Sequence, residues 1–131
     1  MSAKPLVIVT VLMLCVLQAA AIAAPTQLEG DKLVGTGTVG TANQANAVAV
    51  SGDGGTVIVG GARDDSDAGA VWVYTRSGGV SIQQGSKLVG TGTVGKASQG
   101  SSVALSLDGN TAIVGGLFDN SGTGAAWVYT R

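Results

Sequence analysis

The sequence has no histidine, and its single cysteine, Cys15, sits close to the N-terminus. Each absence excludes chemistry. Without histidine there is no imidazole base at neutral pH. With no cysteine beyond Cys15, the rest of the chain has no thiol nucleophile and no Cys/His zinc site. Serine and threonine are plentiful but lack a base partner, and Glu29 is the one carboxylate that is not an aspartate. These gaps predict a protein that is not an enzyme and holds neither cofactor nor metal. Basic residues are also few. Setting Lys4 aside with the leader described below leaves six basic against eight acidic residues, a net charge of −2. That is no electrostatic footprint for nucleic acid or anionic lipid.

The N-terminus carries an address. Met1–Pro5 holds one positive charge, Leu6 to Leu17 is an apolar run, and Ala19 to Ala24 supplies small residues. A charged start, an apolar middle and a small-x-small end make a secretory signal peptide over residues 1–23. Cleavage is expected after Ala21-Ile22-Ala23, because a cut one residue later places Pro25 directly after it. An uncleaved spanning helix is the rival, but it needs about 20 strongly apolar residues, and the second half of this segment is Ala-rich. Leu14 stands before Cys15 where a lipoprotein signal requires a small residue. The mature chain, 24–131, is thus expected to be secreted, periplasmic or displayed at the cell surface, with no membrane contact after cleavage. Having no cysteine, it must be held by packing and strand pairing rather than by disulfides.

What is present is a repeat. Lys32–Arg76 aligns without gaps on Lys87–Arg131, with 30 identities in 45 positions. Within each copy, glycine recurs every few residues and the apolar residues are largely β-branched, which disfavours helix. Strands are expected at Ala47–Ser51, Thr56–Gly60 and Gly69–Thr75, and again at Ser102–Ser106, Thr111–Gly115 and Gly124–Thr130. Asp53-Gly54 and Asp108-Gly109 mark hairpins, for which a type I′ turn is expected. A fourth strand is expected within Val80–Val89, with residues 27–34 as its counterpart before the first repeat. The Gly-Thr-Gly-Thr-Val-Gly stretches have spaced glycines but no P-loop lysine, and read as connecting loops.

The strand faces decide the architecture. Ala70, Trp72 and Tyr74 point one way, and Val71, Val73 and Thr75 the other. Val48 and Val50 oppose Ala47 and Ala49. A half-buried antiparallel sheet alternates apolar with polar, whereas neither face is polar here. Such sheets must be covered on both sides, as blades are in a radial stack. Trp72, Trp127, Tyr74 and Tyr129 are therefore expected in an inter-blade core rather than as a sugar-stacking platform.

These motifs resemble the FG-GAP repeat family, the blade type of the integrin α-subunit propeller. The resemblance runs through Gln99-Gly100-Ser101-Ser102-Val103-Ala104-Leu105, through Gly60-Gly61-Ala62 and Gly115-Gly116-Leu117, and through the closing strands Gly69–Tyr74 and Gly124–Tyr129. Its bacterial exported variant is similar through Gln84–Gly90 and Ser106–Thr111. The resemblance implies an all-β fold of two four-stranded propeller-type blades after an N-terminal signal helix. It implies a non-enzymatic binding, cell-adhesion or interaction module over 24–131, with repeat cores 32–76 and 87–131. Gln replaces the family's Phe in both copies, and Ala45 stands where Gly is expected. The acidic loop of calcium-binding members has shrunk to Ser51–Gly55 and its equivalent. One Asp per loop cannot supply six to eight oxygen ligands, so calcium is not carried over.

The acidic loop between the second and third strands is the candidate ligand site: Asp64, Asp65 and Asp67, with Asp119 and Asn120 in the second copy. Its alternative role is a solvated loop whose side chains form turns with their own backbone. Two blades cannot close a propeller of about four to eight. Self-association, or a protein or glycan partner, is therefore expected; the alternatives are a truncated structural fragment of a longer propeller, or two sheets packed as a small sandwich with the segment near Leu33 pairing with the last repeat. N-terminal sequencing of the exported protein should return Ala24 as its first residue, and retention of residues 1–23 would contradict cleavage.

Overall fold

The computed structural model describes residues 28–131, so the expected signal peptide and its cleavage site lie outside the described residues. Elements follow in the order β1 (Ala47–Val50), β2 (Thr56–Gly61), α1 (Asp64–Asp67), β3 (Ala70–Ser77), β4 (Val80–Gln83), β5 (Gln99–Leu105), β6 (Thr111–Gly116), α2 (Asp119–Gly122) and β7 (Ala125–Thr130). The fold is all-β, as two antiparallel meanders ordered β1-β2-β3-β4 and β5-β6-β7. The segments α1 and α2 are single turns with left-handed residues inside, at Asp65, Ser66, Asn120 and Ser121.

The expectation of two four-stranded sheets needs correction, because the second sheet has three strands. The outer strand β4 pairs with β3, from Tyr74↔Gln83 to Ser77↔Val80. It thus completes the repeat that precedes it, whereas residues 28–34 form no strand within this chain. The type I′ assignment also fails. Gly54 N–H donates to the Ser51 carbonyl at 2.9 Å, and of the turn residues only Gly54 has positive φ, at 73°. A type I′ turn needs positive φ at both central residues, here Gly52 and Asp53.

Aspartate closes these turns by side-chain bonding. Asp53 Oδ1 accepts from the Ser51 hydroxyl at 2.6 Å and from Gly55 N–H at 2.8 Å. The Ser51 hydroxyl oxygen accepts from Thr56 N–H at 2.9 Å. Asp108, Ser106, Asn110 and Thr111 repeat the arrangement. The serine hydroxyl first, and the backbone N–H second, hold both carboxyls below the ordinary carboxylate range.

Each repeat folds its leading linker over its own tryptophan. Trp72 Nε1 donates to the Thr36 carbonyl at 2.7 Å, and Trp127 Nε1 to the Thr91 carbonyl at 2.9 Å. Gly35 and Gly90 lie against the indoles so closely that a Cβ on either would overlap the ring. The Gln44 amide binds Gly35 from both sides, accepting its N–H at 2.7 Å and donating to its carbonyl at 2.9 Å. Gln99 does the same to Gly90. Gln44 and Gln99 therefore have a local task, closing the linker into a loop.

The two faces of the first sheet are packed by different means, and on the Trp72 face Val48 and Val50 stay exposed. Trp72, Tyr74, Val59 and Ala70 cluster with Ala42 of the linker. On the opposite face Ile58 and Val71 pack with Ala112 and Val114 of the second sheet, and Val103, Leu105 and Tyr129 join them. Gly60 permits this approach, because a Cβ there would strike the Gly100 carbonyl. The second sheet is covered on one face only. Its outer face leaves Ile113 46% and Val128 64% exposed.

These environments order the stability effects. Trp72 is fully buried and Trp127 only partly so. In urea denaturation Trp72→Ala should cost about 3–5 kcal/mol and Trp127→Ala less. Val128→Ala should stay within about 0.5 kcal/mol. The opposite order for the two tryptophans would contradict this packing.

Candidate functional site

The five residues singled out by sequence do not form one site. Asp64 is fully buried and Asp119 nearly so. Asp64 Oδ1 accepts from Val39 N–H at 2.8 Å, while Asp65 N–H donates to the Val39 carbonyl at 2.9 Å. Asp119 and Asn120 hold Val94 in the same way, at 2.8 and 2.9 Å. The second oxygen of Asp64 receives Lys87 Nζ. These two carboxylates therefore pin the linker to the loop. Asp65 and Asn120 are exposed at the turn, where their positive φ, 48° in each, is a conformation Asp and Asn tolerate better than most residues. Among the described residues no group of three or more acidic side chains converges as a metal site would require.

Asp67 lies elsewhere, in the wall of a cleft of about 740 Å³ between the two repeats. Turn α1 supplies Asp67, with Arg63 just before it. The second linker supplies Lys96 and Ser98, and the second repeat supplies Leu117 and Phe118. Asp67 receives Arg63 Nε and Lys96 Nζ, each at 3.3 Å. The Lys96 hydrogen bond first, then Arg63, holds the Asp67 carboxyl below its ordinary range. Two cations around one carboxylate leave the cleft with a surplus positive charge. Asn46 braces its floor, accepting from Ala62 N–H at 2.9 Å and donating to the Gly100 carbonyl at 3.0 Å. Leu117 and Phe118, 52% and 57% exposed, form an apolar rim. Salt-bridged charge beside an exposed aromatic can hold a ligand with a polar edge and a flat apolar face, such as a sugar ring or a peptide side chain.

Sequence reasoning missed Arg63, Lys96, Phe118 and the asparagines of this cleft, although a signal was available. Fifteen of the 45 aligned repeat positions differ. Eleven of the fourteen cleft residues fall at those positions, the exceptions being Val94, Gly95 and Ser121. Exposure alone does not account for this, because Lys32–Gly40 is largely exposed yet identical to Lys87–Gly95. The repeats share one frame, and six of the fifteen positions at which they differ open into the cleft.

Away from the cleft, the Tyr74 and Tyr129 hydroxyls are buried without a hydrogen-bond partner among the described residues. Desolvation by burial pushes both phenols up. Comparison with known proteins brings no relative, since neither a family model, nor a curated protein, nor a solved structure matches the chain.

The Asp67 cluster sets a pH window. Its folded-state carboxyl is depressed below the ordinary value of 3.8. Its contribution to stability is therefore full above that value and lost as pH falls through the lower folded-state value. In an NMR titration Asp67 should show a midpoint below 3.8, and Lys96→Met should raise it. An unchanged midpoint in the variant would contradict the pairing.

Proposed function

We propose that this is an exported, non-enzymatic repeat protein of β-propeller type, a binding or adhesion module whose ligand sits in the cleft between its repeats. One observation carries the reading: eleven of the fourteen residues that line the cleft fall at positions, six of the fifteen, where two otherwise near-identical repeats differ. Packing fixes the strands and linkers, so the cleft can vary without disturbing the frame, as binding loops do on a rigid scaffold.

The FG-GAP resemblance and the two-sided apolar sheets support the blade reading. The leader supports export. The lack of histidine and of any thiol in the mature chain supports binding without catalysis. The cleft chemistry favours a glycan or a protein segment with an acidic or amide-bearing edge, met by Arg63, Lys96 and Asn43, and with an apolar face met by Phe118.

A glycan and matrix-protein binding screen on the mature chain tests this. Phe118→Ala should weaken the captured ligand by roughly 1–3 kcal/mol, as expected for an exposed aromatic anchor, with an unchanged circular dichroism spectrum. Binding that ignores both Phe118→Ala and Lys96→Glu would place the ligand elsewhere and overturn the reading.

A further inference from the structure

We infer that the uncovered outer face of the second sheet is a docking surface for the first sheet of a second copy of this chain, so that copies stack head to tail. This goes beyond ligand binding and holds whether or not the cleft takes a ligand.

The chain contains the template. Within one molecule, the second sheet lays its Val103, Leu105 and Val114 side on the Ile58 and Val71 side of the first sheet. Both partners of that contact recur, uncovered, at the two ends of the molecule. Ile58 and Val73 of the covered face correspond to Ile113 and Val128, which are exposed. Val103 and Leu105 of the covering face correspond to Val48 and Val50, exposed at 62% and 59%. The surfaces that meet once inside the chain are thus both available to meet again between chains. Such a contact is heterologous, so it propagates into a ring or an open stack.

The edges match as well. Inside the chain Leu88 exchanges two backbone hydrogen bonds with Val71, at 3.0 and 2.8 Å, and Lys87 pairs with the buried Asp64. The corresponding residues are Leu33 with Ala126, and Lys32 with Asp119. Lys32 and Asp119 make no ion pair among the described residues. In the stack Lys32 of one copy reaches Asp119 of the next, and its Leu33 segment runs along β7, an edge left unpaired among the described residues. The segment is already shaped for this. Gly30, Gly37, Gly40, Asn43 and Ala45 have positive φ, as do their equivalents Gly85, Gly92, Gly95, Ser98 and Gly100. A surface held in its bound conformation loses little entropy on docking.

One residue is mismatched. A Cβ on Gly100 would lie 2.5 Å from the Ala70 carbonyl oxygen and 3.0 Å from Gly60 Cα. Ala45 carries that Cβ at the equivalent position, so its methyl meets the backbone at Ala125 and Gly115 of the neighbouring copy. Overpacking of this kind weakens the contact without removing the rest of the interface. The stack is therefore held below its full strength by a single methyl group.

The test is the mass of the mature chain in solution, by light scattering and sedimentation over a range of concentrations. Whole-number multiples of the chain mass are expected, growing with concentration. Ala45→Gly should tighten association about tenfold, the relief of one overpacked methyl. Val128→Asp, on the exposed face where folding is not at stake, should return the protein to monomer, and Lys32→Glu should weaken association. A monomer for both the natural chain and Ala45→Gly would overturn the proposal, as would oligomers that survive Val128→Asp. Ligand capture by the Val128→Asp monomer would leave the cleft reading standing if the stack fails.

Discussion

The close approach of Gly60 to Gly100 sets the spacing on which the rest of the molecule depends. With no side chain at either position, the start of β5 crosses directly over β2 of the first sheet. Ile58 and Val71 then meet Val114 and Ala112 in one closed cluster. Separating the sheets to admit a methyl group would open that cluster and forfeit dispersion contacts along its length. The two tyrosine hydroxyls are buried without partners among the described residues, which tells the same story. Burying their rings outweighs what each hydroxyl loses by leaving water.

Each repeat organises itself before it meets its neighbour. The glutamine that closes the linker, the aspartate that pins Val39 or Val94, and the indole that binds the linker carbonyl all act within one repeat. Most sheet pairings are likewise between strands adjacent in the chain. The unit is thus built from short-range contacts, and the sheet-to-sheet cluster joins the units together with the Lys87–Asp64 and Lys96–Asp67 pairs and the Leu88–Val71 hydrogen bonds. This is the organisation of repeat architectures, whose stability divides into terms within a unit and terms between neighbours. It also explains how a cleft between the units can vary while the frame stays fixed.

Much of the fold was legible in the sequence, because alternation and turn residues act locally. Six strands stand within three residues of their expected bounds, whereas the expected cover on both sides of each sheet is met only in part, since Val48 and Val50 of the first sheet and Ile113 and Val128 of the second are exposed. The fourth strand was harder. Val80–Gln83 joins the sheet before it, a choice made by tertiary pairing that no local pattern encodes. The tryptophans were expected against a neighbouring blade, whereas each lies first beneath its own linker. At the acidic loop, composition drew attention to five residues, and the structure separates them by burial. Asp64 and Asp119 are structural pins, Asp65 and Asn120 shape turns, and Asp67 faces the cleft. Invariance between the repeats already distinguished Asp64/Asp119 from Asp65/Asn120. The cleft itself was not legible, because Arg63, Lys96 and Phe118 converge only after the sheets stack.

The stacking of one sheet on the other is therefore the central claim, and a double-mutant cycle tests it most directly. Ile58 and Val114 belong to different repeats but share the buried cluster between the sheets. Measured by denaturant unfolding, Ile58→Ala and Val114→Ala should be coupled by about 0.5–3 kcal/mol, as residues in contact are. Strictly additive effects would mean that the two faces do not meet, and would contradict the account.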